Sequence, residues 1–210
     1  MLFNSFEFLV FLPIVFLLYW FAFKKLRAQN LFVVVASYLF YGWWDWRFLI
    51  LIAFTTLCSY ASGILLERQE GHRHIQRLIS IANIVLNLTI LGIFKYFNFF
   101  SENLQHLFQW FGFELDWVTL DILLPVGISF YTFQALSYTI DIYRHKMKPT
   151  HDIVAFFAFI SFFPQLVAGP IERATNLLPQ FESQRTFDYT AAVDGMRQIL
   201  WGLFKKIVVA

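Results

Sequence analysis

The sequence predicts an all-α membrane protein, a polytopic transmembrane helical bundle with interfacial helices and one candidate re-entrant segment. Of its 210 residues, 59% are apolar and 14% are charged, whereas about a quarter of the residues of soluble domains are charged. The apolar residues form long runs separated by short polar loops, as is typical of helices that cross a bilayer. The net charge of +2 is too small to indicate a nucleic-acid partner. We expect the whole chain, 1–210, to form one membrane domain.

The first half of the chain contains four apolar runs that predict membrane spans, at residues 6–23, 31–46, 48–66 and 78–97. No Lys or Arg precedes the first run and no small-residue cleavage site follows it, so we interpret it as a retained span and not a signal peptide. In the fourth run, Ser80, Asn83 and Asn87 share one face, and we expect the two asparagines to form hydrogen bonds to neighbouring helices. The aromatic stretch that follows predicts an interfacial helix at about 104–111.

Lys and Arg residues are concentrated in alternate loops. Three loops, at 24–27, 68–77 and 144–148, carry three Lys or Arg each. Basic loops face the cytoplasm in membrane proteins. The alternation therefore predicts that these three loops are cytoplasmic and that the N-terminus lies outside.

A predicted helix in the centre of the chain carries one polar stripe. Its small and polar residues recur at steps of three and four and therefore share one helix face: Gly127, Tyr131, Gln134, Ser137, Tyr138, Asp141 and His145. The opposite face, with Ile128, Ala135 and Ile142, is apolar and can contact lipid or another helix. The stripe either forms interhelical hydrogen bonds or lines a functional cavity, an interpretation that is strongest for the ionisable Asp141.

The next apolar run, 153–168, is short for a membrane span. Asp152 can cap its first turn, and Pro164 removes a backbone donor and is expected to kink or end the helix. The run is therefore either a re-entrant element or a tilted span. An interfacial helix is expected to follow, with Ile171, Ala174, Leu178 and Phe181 on its apolar side. A last amphipathic segment is expected to begin near Asp188, with an apolar stripe of Ala192, Met196, Ile199, Leu203 and Ile207.

Two motifs in the second half of the chain resemble a known family. The sequences PVGISFYTFQALSYTIDIYR (125–144) and FFPQLVAGPIERA (162–174), followed by WGLFKKIVVA (201–210), resemble the membrane-bound O-acyltransferases. Within that family they are similar to the bacterial branch of alginate O-acetyltransferases. The resemblance covers only the first half of the usual length of the family. Because an apolar run also starts at 207–210, where the sequence stops, we expect this chain to be the N-terminal part of a longer acyltransferase.

The resemblance implies an enzyme of the bacterial inner membrane that transfers an acyl group, acetyl in the first instance, to hydroxyls of an extracellular polysaccharide such as alginate. It implies acyl-CoA or an acyl carrier as co-substrate, no bound cofactor, and periplasmic acyltransferase proteins as partners. His72 and His74 could bind a metal, but the sequence offers no third ligand beside them, so no metal site is expected. The catalytic base of the family is a histidine on a later membrane helix. None of the five histidines of this chain fits that role, so the expected base would lie beyond Ala210.

Six residues are candidates for the wall of a substrate cavity: Tyr131, Gln134, Asp141, Gln165, Glu172 and Arg173. Tyr131 and Gln134 could donate hydrogen bonds to an acyl carbonyl or a substrate oxygen. Arg173 could steer an anionic donor or polymer, or form with Glu172 an ion pair that holds the broken segment in place. The polar stripes alone would equally suit a transporter or exporter subunit. A catalytically inactive membrane fragment is the third alternative.

Overall fold

A computed structural model describes residues 5–43, 45–110, 127–166, 169 and 171–209. The described residues form helices and contain no strand, which confirms the predicted all-α class. The helices are α1 (Phe6–Leu17, continued by a π-helical turn, Leu18–Ala22), α2 (Leu26–Gly42), α3 (Arg47–Arg68), α4 (Arg73–Trp110), α5 (Ile128–Tyr143), α6 (Ile153–Ser161), α7 (Phe163–Leu166), α8 (Ala174–Glu182) and α9 (Tyr189–Phe204, continued by a π-helical turn, Lys205–Val209).

Two of these helices are long and apolar enough to cross a bilayer. They are α3, with 22 residues, and the part of α4 at Arg73–Ser101, with 29 residues. Shorter apolar helices lie at Phe6–Ala22 and Ile153–Leu166. Together with the apolar composition, these helices fit the predicted membrane protein.

The fourth helix is longer than the sequence predicts. The prediction of a separate interfacial helix at 104–111 is wrong, because α4 continues without a break to Trp110. The last predicted position, residue 111, lies outside the described residues. No Gly or Pro interrupts 93–110, and the Asn103 side chain donates to the Phe99 carbonyl one turn back, at 2.6 Å. At about 1.5 Å per residue, the 38-residue helix exceeds the roughly 30 Å hydrocarbon core of a bilayer.

The second helix begins at Leu26, before the apolar run predicted at 31–46. Its first turns contain Gln29 and Asn30, which are 3% and 0% exposed. The Asn30 side-chain amide donates to the Phe181 carbonyl at 2.7 Å, so a polar residue at this position is satisfied inside the protein. Burial of polar groups is tolerated when they are hydrogen-bonded in this way.

The cap predicted at the start of α6 is confirmed, and α9 begins with a cap of the same kind. Asp152 Oδ1 accepts hydrogen bonds from the backbone of Val154 and Ala155, at 2.9 and 3.2 Å. Asp188 does the same for Thr190 and Ala191, at 2.8 and 3.2 Å. Each aspartate satisfies donors that have no partner within the helix.

The fifth helix lies at the centre of the bundle and packs against α3, α4, α6 and α8. Its apolar face contacts other helices, since Ile128, Ala135 and Ile142 are 2%, 1% and 6% exposed. The contact with α3 depends on Gly63, where an added Cβ would lie 2.6 Å from the Tyr138 hydroxyl. Of the two predicted alternatives for this face, lipid or another helix, the structure shows contact with other helices.

Helices α6, α7 and α8 form a hairpin. The Phe163 backbone N–H donates to Ser37 Oγ at 3.2 Å, more than two turns into α2. The chain then returns, and Phe181 near the end of α8 meets Asn30 near the start of α2. The predicted break is present at Phe162, whose backbone is extended (φ −54°, ψ 103°). Proline 164 has no N–H to bond the carbonyl of residue 160, so α6 cannot continue through it.

The last helix packs loosely, and none of its described residues is buried. Its predicted apolar stripe faces α1, because Ala192, Met196 and Ile199 line a groove of about 390 Å³ together with Leu12 and Phe16. The side chain of Ile207, the last residue predicted for this stripe, lies outside the described residues.

Candidate functional site

A side-chain hydrogen bond connects the two motifs that carry the family resemblance. Gln134 Nε2 on α5 donates to Gln165 Oε1 on α7 at 3.0 Å. Gln134 is 2% exposed, and Gln165 is half-buried. Two of the predicted site residues, 31 positions apart in the sequence, therefore meet inside the bundle.

One turn before Gln134, Tyr131 is completely buried, with 0% exposure. Among the residues that the structure describes, its hydroxyl has no hydrogen-bond partner, and neither does the hydroxyl of the adjacent Thr132. A buried hydroxyl without a partner costs about 1–3 kcal/mol. Each of these buried hydroxyls therefore has a donor that no described residue uses.

The approach of α7 to α5 requires a glycine at position 127. Gly127 caps the start of α5 with φ +80°, in the left-handed region. An added Cβ would lie 2.3 Å from the Leu166 carbonyl oxygen, which is far inside van der Waals contact. Gly127 therefore allows the end of α7, which carries Gln165, to reach the start of α5.

The other three predicted residues lie apart from this pair. Asp141 is 6% exposed and follows Gln134 by two helical turns, about 10 Å along the axis. Its backbone carbonyl accepts a hydrogen bond from Lys146 in the following basic loop, at 2.8 Å. Glu172 is half-buried, and Arg173 is exposed at the start of α8.

The ion pair considered for Glu172 and Arg173 is not formed. Within the described part of the chain, the ion pair observed is instead between His151 and Glu67, with 3.0 Å between Nε2 and Oε2. Glu172 is half-buried and Arg173 is exposed just before α8, and their charges do not pair there. The alternative in which this ion pair holds the broken segment in place is therefore wrong.

A second group of buried polar residues connects α3, α4 and α5. Asn83 Nδ2 donates to Thr139 Oγ1 at 2.7 Å, and Asn83 and Ser59 exchange a longer contact at 3.4 Å. Asn87 donates within α4 to the side-chain oxygen of Asn83 at 3.1 Å, and across to Ser59 Oγ on α3 at 3.4 Å. The predicted interhelical hydrogen bonds of Asn83 and Asn87 are thus confirmed. We call Ser59, Asn83, Asn87 and Thr139 the polar cluster.

Sequence reasoning missed Arg185, which lies in the linker between α8 and α9. Its Nη2 donates to Asn30 Oδ1, and its guanidinium lies 5.3 Å from the ring centroid of Tyr19 and 5.4 Å from that of Phe181. Burial lowers the pKa of Arg185 from its ordinary value, and Tyr19 acts in the opposite direction. Arginine nevertheless stays charged in proteins. An arginine in a polar linker is common, so only the fold reveals that this one is half-buried.

Fold and site together define a helical membrane protein whose polar side chains pair inside the bundle. The chain is similar over its whole length to curated relatives. It is 38% identical to a protein of Pseudomonas aeruginosa named "Probable alginate O-acetylase", of which it covers 40%. It is 38% identical to the protein of the same name from Azotobacter vinelandii, covering 42% of it. It is 31% identical to the "Peptidoglycan O-acetyltransferase" of Helicobacter pylori, covering 44%.

The resemblance to the alginate O-acetyltransferase branch of the membrane-bound O-acyltransferases is therefore confirmed, for the N-terminal half of such proteins. The chain spans about two-fifths of the length of the curated relatives it matches. No family model matches the chain, and no solved structure matches it.

Proposed function

We propose that this chain is part of a membrane O-acyltransferase that transfers an acyl group, acetyl in the first instance, to hydroxyls of an extracellular polysaccharide. The observation that carries the proposal is the full-length similarity to proteins named as alginate and peptidoglycan O-acetyltransferases. Relatives with the alginate name occur in several species, so alginate or a similar polysaccharide is the first acceptor to test. The donor in this proposal is acyl-CoA or an acyl carrier, used as co-substrate, with no resident cofactor.

The described residues would supply hydrogen bonds to the reacting carbonyl. Acyl transfer needs a polarised carbonyl, a base for the hydroxyl proton, and exclusion of water. Tyr131 offers a buried hydroxyl that no described residue bonds, and the Gln134–Gln165 pair lies one turn away. In this proposal the base is a histidine on a further helix, as the resemblance implies, and periplasmic acyltransferase proteins complete the delivery to the polysaccharide.

The proposal includes a topology in the bacterial inner membrane, with several spans and the N-terminus outside. Two of the three basic loops meet in the structure, since Glu70 and Gln76 line the same small cavity as His145 and Lys148. The hairpin α6–α8 would then be re-entrant. Helices α6 and α7 have nine and four residues and rise about 20 Å together, which is short of the roughly 30 Å core.

Replacing Tyr131 by phenylalanine tests the proposed role of the hydroxyl. Phenylalanine removes a buried hydroxyl that has no partner among the described residues, so the variant should fold at least as stably as the wild type. If the hydroxyl polarises the acyl carbonyl, transfer should fall on the order of 100-fold. The measurement is polysaccharide-bound acetate in cells that express the complete reading frame, beside the amount of protein in the membrane.

Tyr138→Phe is the matched control, because the hydroxyl of Tyr138 accepts a hydrogen bond from the Thr150 backbone at 3.3 Å. This change should lower stability and should not lower transfer per folded molecule. Wild-type transfer by the Tyr131→Phe protein would remove Tyr131 from the proposed site. Absence of acetate transfer by the wild-type complete protein, with every acceptor tried, would reject the function itself.

A further inference from the structure

A cavity with apolar walls lies between α1, α2 and the α7–α8 part of the hairpin. It has a volume of about 280 Å³, near the lower end of the roughly 300–1,000 Å³ of small-ligand pockets. Aliphatic and aromatic side chains form most of its wall, among them Leu12, Val15, Phe16, Phe163 and Leu177. Such a wall accepts a hydrocarbon chain and offers few hydrogen bonds to a polar ligand.

The cavity carries one cation in its wall, that of Arg185. The rings of Tyr19 and Phe181 and the side chain of Asn30 hold its guanidinium in place. Its Nε is buried and has no hydrogen-bond partner among the described residues. The ion pair within the described part of the chain is made by His151 and Glu67, so no carboxylate described there neutralises Arg185.

More positive charge lies close by along α2. Arg27 precedes Asn30 by three positions, which places the two residues on neighbouring positions of one helix side. Lys24 and Lys25 are exposed just before the helix. A half-buried cation beside an apolar cavity, with further basic residues at the same end, matches an anionic headgroup joined to an acyl chain.

We propose that this cavity binds an anionic phospholipid, with one acyl chain against the apolar wall and the phosphate on the guanidinium of Arg185. The site is separate from the Tyr131 and Gln134 region and does not depend on the proposed acyl transfer. Arginine suits this role because its fixed fork of donors matches the geometry of phosphate oxygens. The outward face of α1, with Leu9, Ile14 and Leu17 exposed at 60%, 51% and 54%, adjoins the cavity and would contact the surrounding lipid.

The test is native mass spectrometry of the complete protein in detergent, titrated with phosphatidylglycerol and, separately, with phosphatidylcholine. The wild type should bind one phosphatidylglycerol at least tenfold more tightly than phosphatidylcholine. Arg185→Gln should abolish this preference, and Arg185→Lys should keep part of it. Arg77→Gln, an exposed cation on α4, is the matched control and should bind as the wild type does.

A second pair of variants keeps Arg185 and fills the cavity. Val15→Trp places a large side chain in the cavity wall and should lower phosphatidylglycerol binding at least tenfold. Leu9→Trp, on the exposed side of the same helix, should not. A melting curve of each variant identifies proteins that have failed to fold. If Arg185→Gln is among them, the comparison of Val15→Trp with Leu9→Trp tests the proposed lipid site in its place.

Two competitors distinguish other occupants. Inorganic phosphate and acetyl-coenzyme A, each at tenfold excess over the lipid, should not displace it. Displacement by either one would contradict a lipid site and would point to a free phosphate site or to the donor site. Equal binding of phosphatidylglycerol by the wild type and Arg185→Gln would likewise overturn the proposal.

Discussion

Replacement of Gly127 by alanine should destabilise the protein by about 2–5 kcal/mol. Left-handed backbone costs a residue with a Cβ about 1–2 kcal/mol, and overpacking adds about 1–3 kcal/mol. Both apply here, because Gly127 has φ +80° and its missing Cβ would overlap the Leu166 carbonyl oxygen. The measurement is the thermal unfolding midpoint of the purified protein, which should fall by several degrees.

Gly92→Ala is the control, because Gly92 lies within α4 and no atom is within 4 Å of its missing Cβ. Alanine is the better helix former, so this change should leave stability equal or slightly higher. Since Gly127 also sets the approach of Gln165 to Gln134, we expect the alanine variant to lose acyl transfer as well. A Gly127→Ala protein as stable as Gly92→Ala would show that α5 and α7 do not approach as described.

Replacement of Asn83 by leucine should cost about 1–3 kcal/mol. Asn83 is 4% exposed and donates to Thr139 while accepting from Asn87. Interhelical hydrogen bonds in membranes are worth about 0.6 kcal/mol on average and up to about 1.7, and leucine would also leave the partners unpaired. Unfolding in a denaturing detergent should therefore occur at a lower detergent fraction.

Asn103→Leu provides the matched comparison on the same helix. Asn103 is exposed, and its amide donates within α4, to the Phe99 carbonyl. This variant should unfold at a detergent fraction close to that of the wild type. If the two leucine variants unfold at the same detergent fraction, the polar cluster does not hold α3, α4 and α5 together.

Local features of the fold could be predicted because each depends on residues near one another in the sequence. The helical spacing of 3.6 residues placed Tyr131, Gln134 and Tyr138 on one face, and all three are buried. Asp152 was recognisable as a cap from its own position, and Asp188 marked where the last segment begins. Pro164 predicted an interruption because it lacks a backbone donor.

Features that depend on distant partners could not be predicted. The pairing of Gln134 with Gln165 needs the hairpin, and nothing in either residue indicates the other. The apolar run predicts a helix only from residue 31, yet the polar Asn30 lies within α2, satisfied by a carbonyl 151 positions away. An ion pair between Glu172 and Arg173 was one of two alternatives for these residues, and adjacent side chains before a helix need not face each other.

We expect the α6–α8 hairpin to enter the bundle and return on the same side of the membrane, and so to carry Gln165 to Gln134. Single cysteines at Lys148, before α6, and at Ser183, after α8, test it in a Cys58→Ala background, with Arg47→Cys as a marker at the other end of α3. An impermeant maleimide added to one side of oriented vesicles should label Lys148→Cys and Ser183→Cys together, and Arg47→Cys only from the other side. Labelling of positions 148 and 183 from opposite sides would contradict the account, because α6–α8 would then span the membrane.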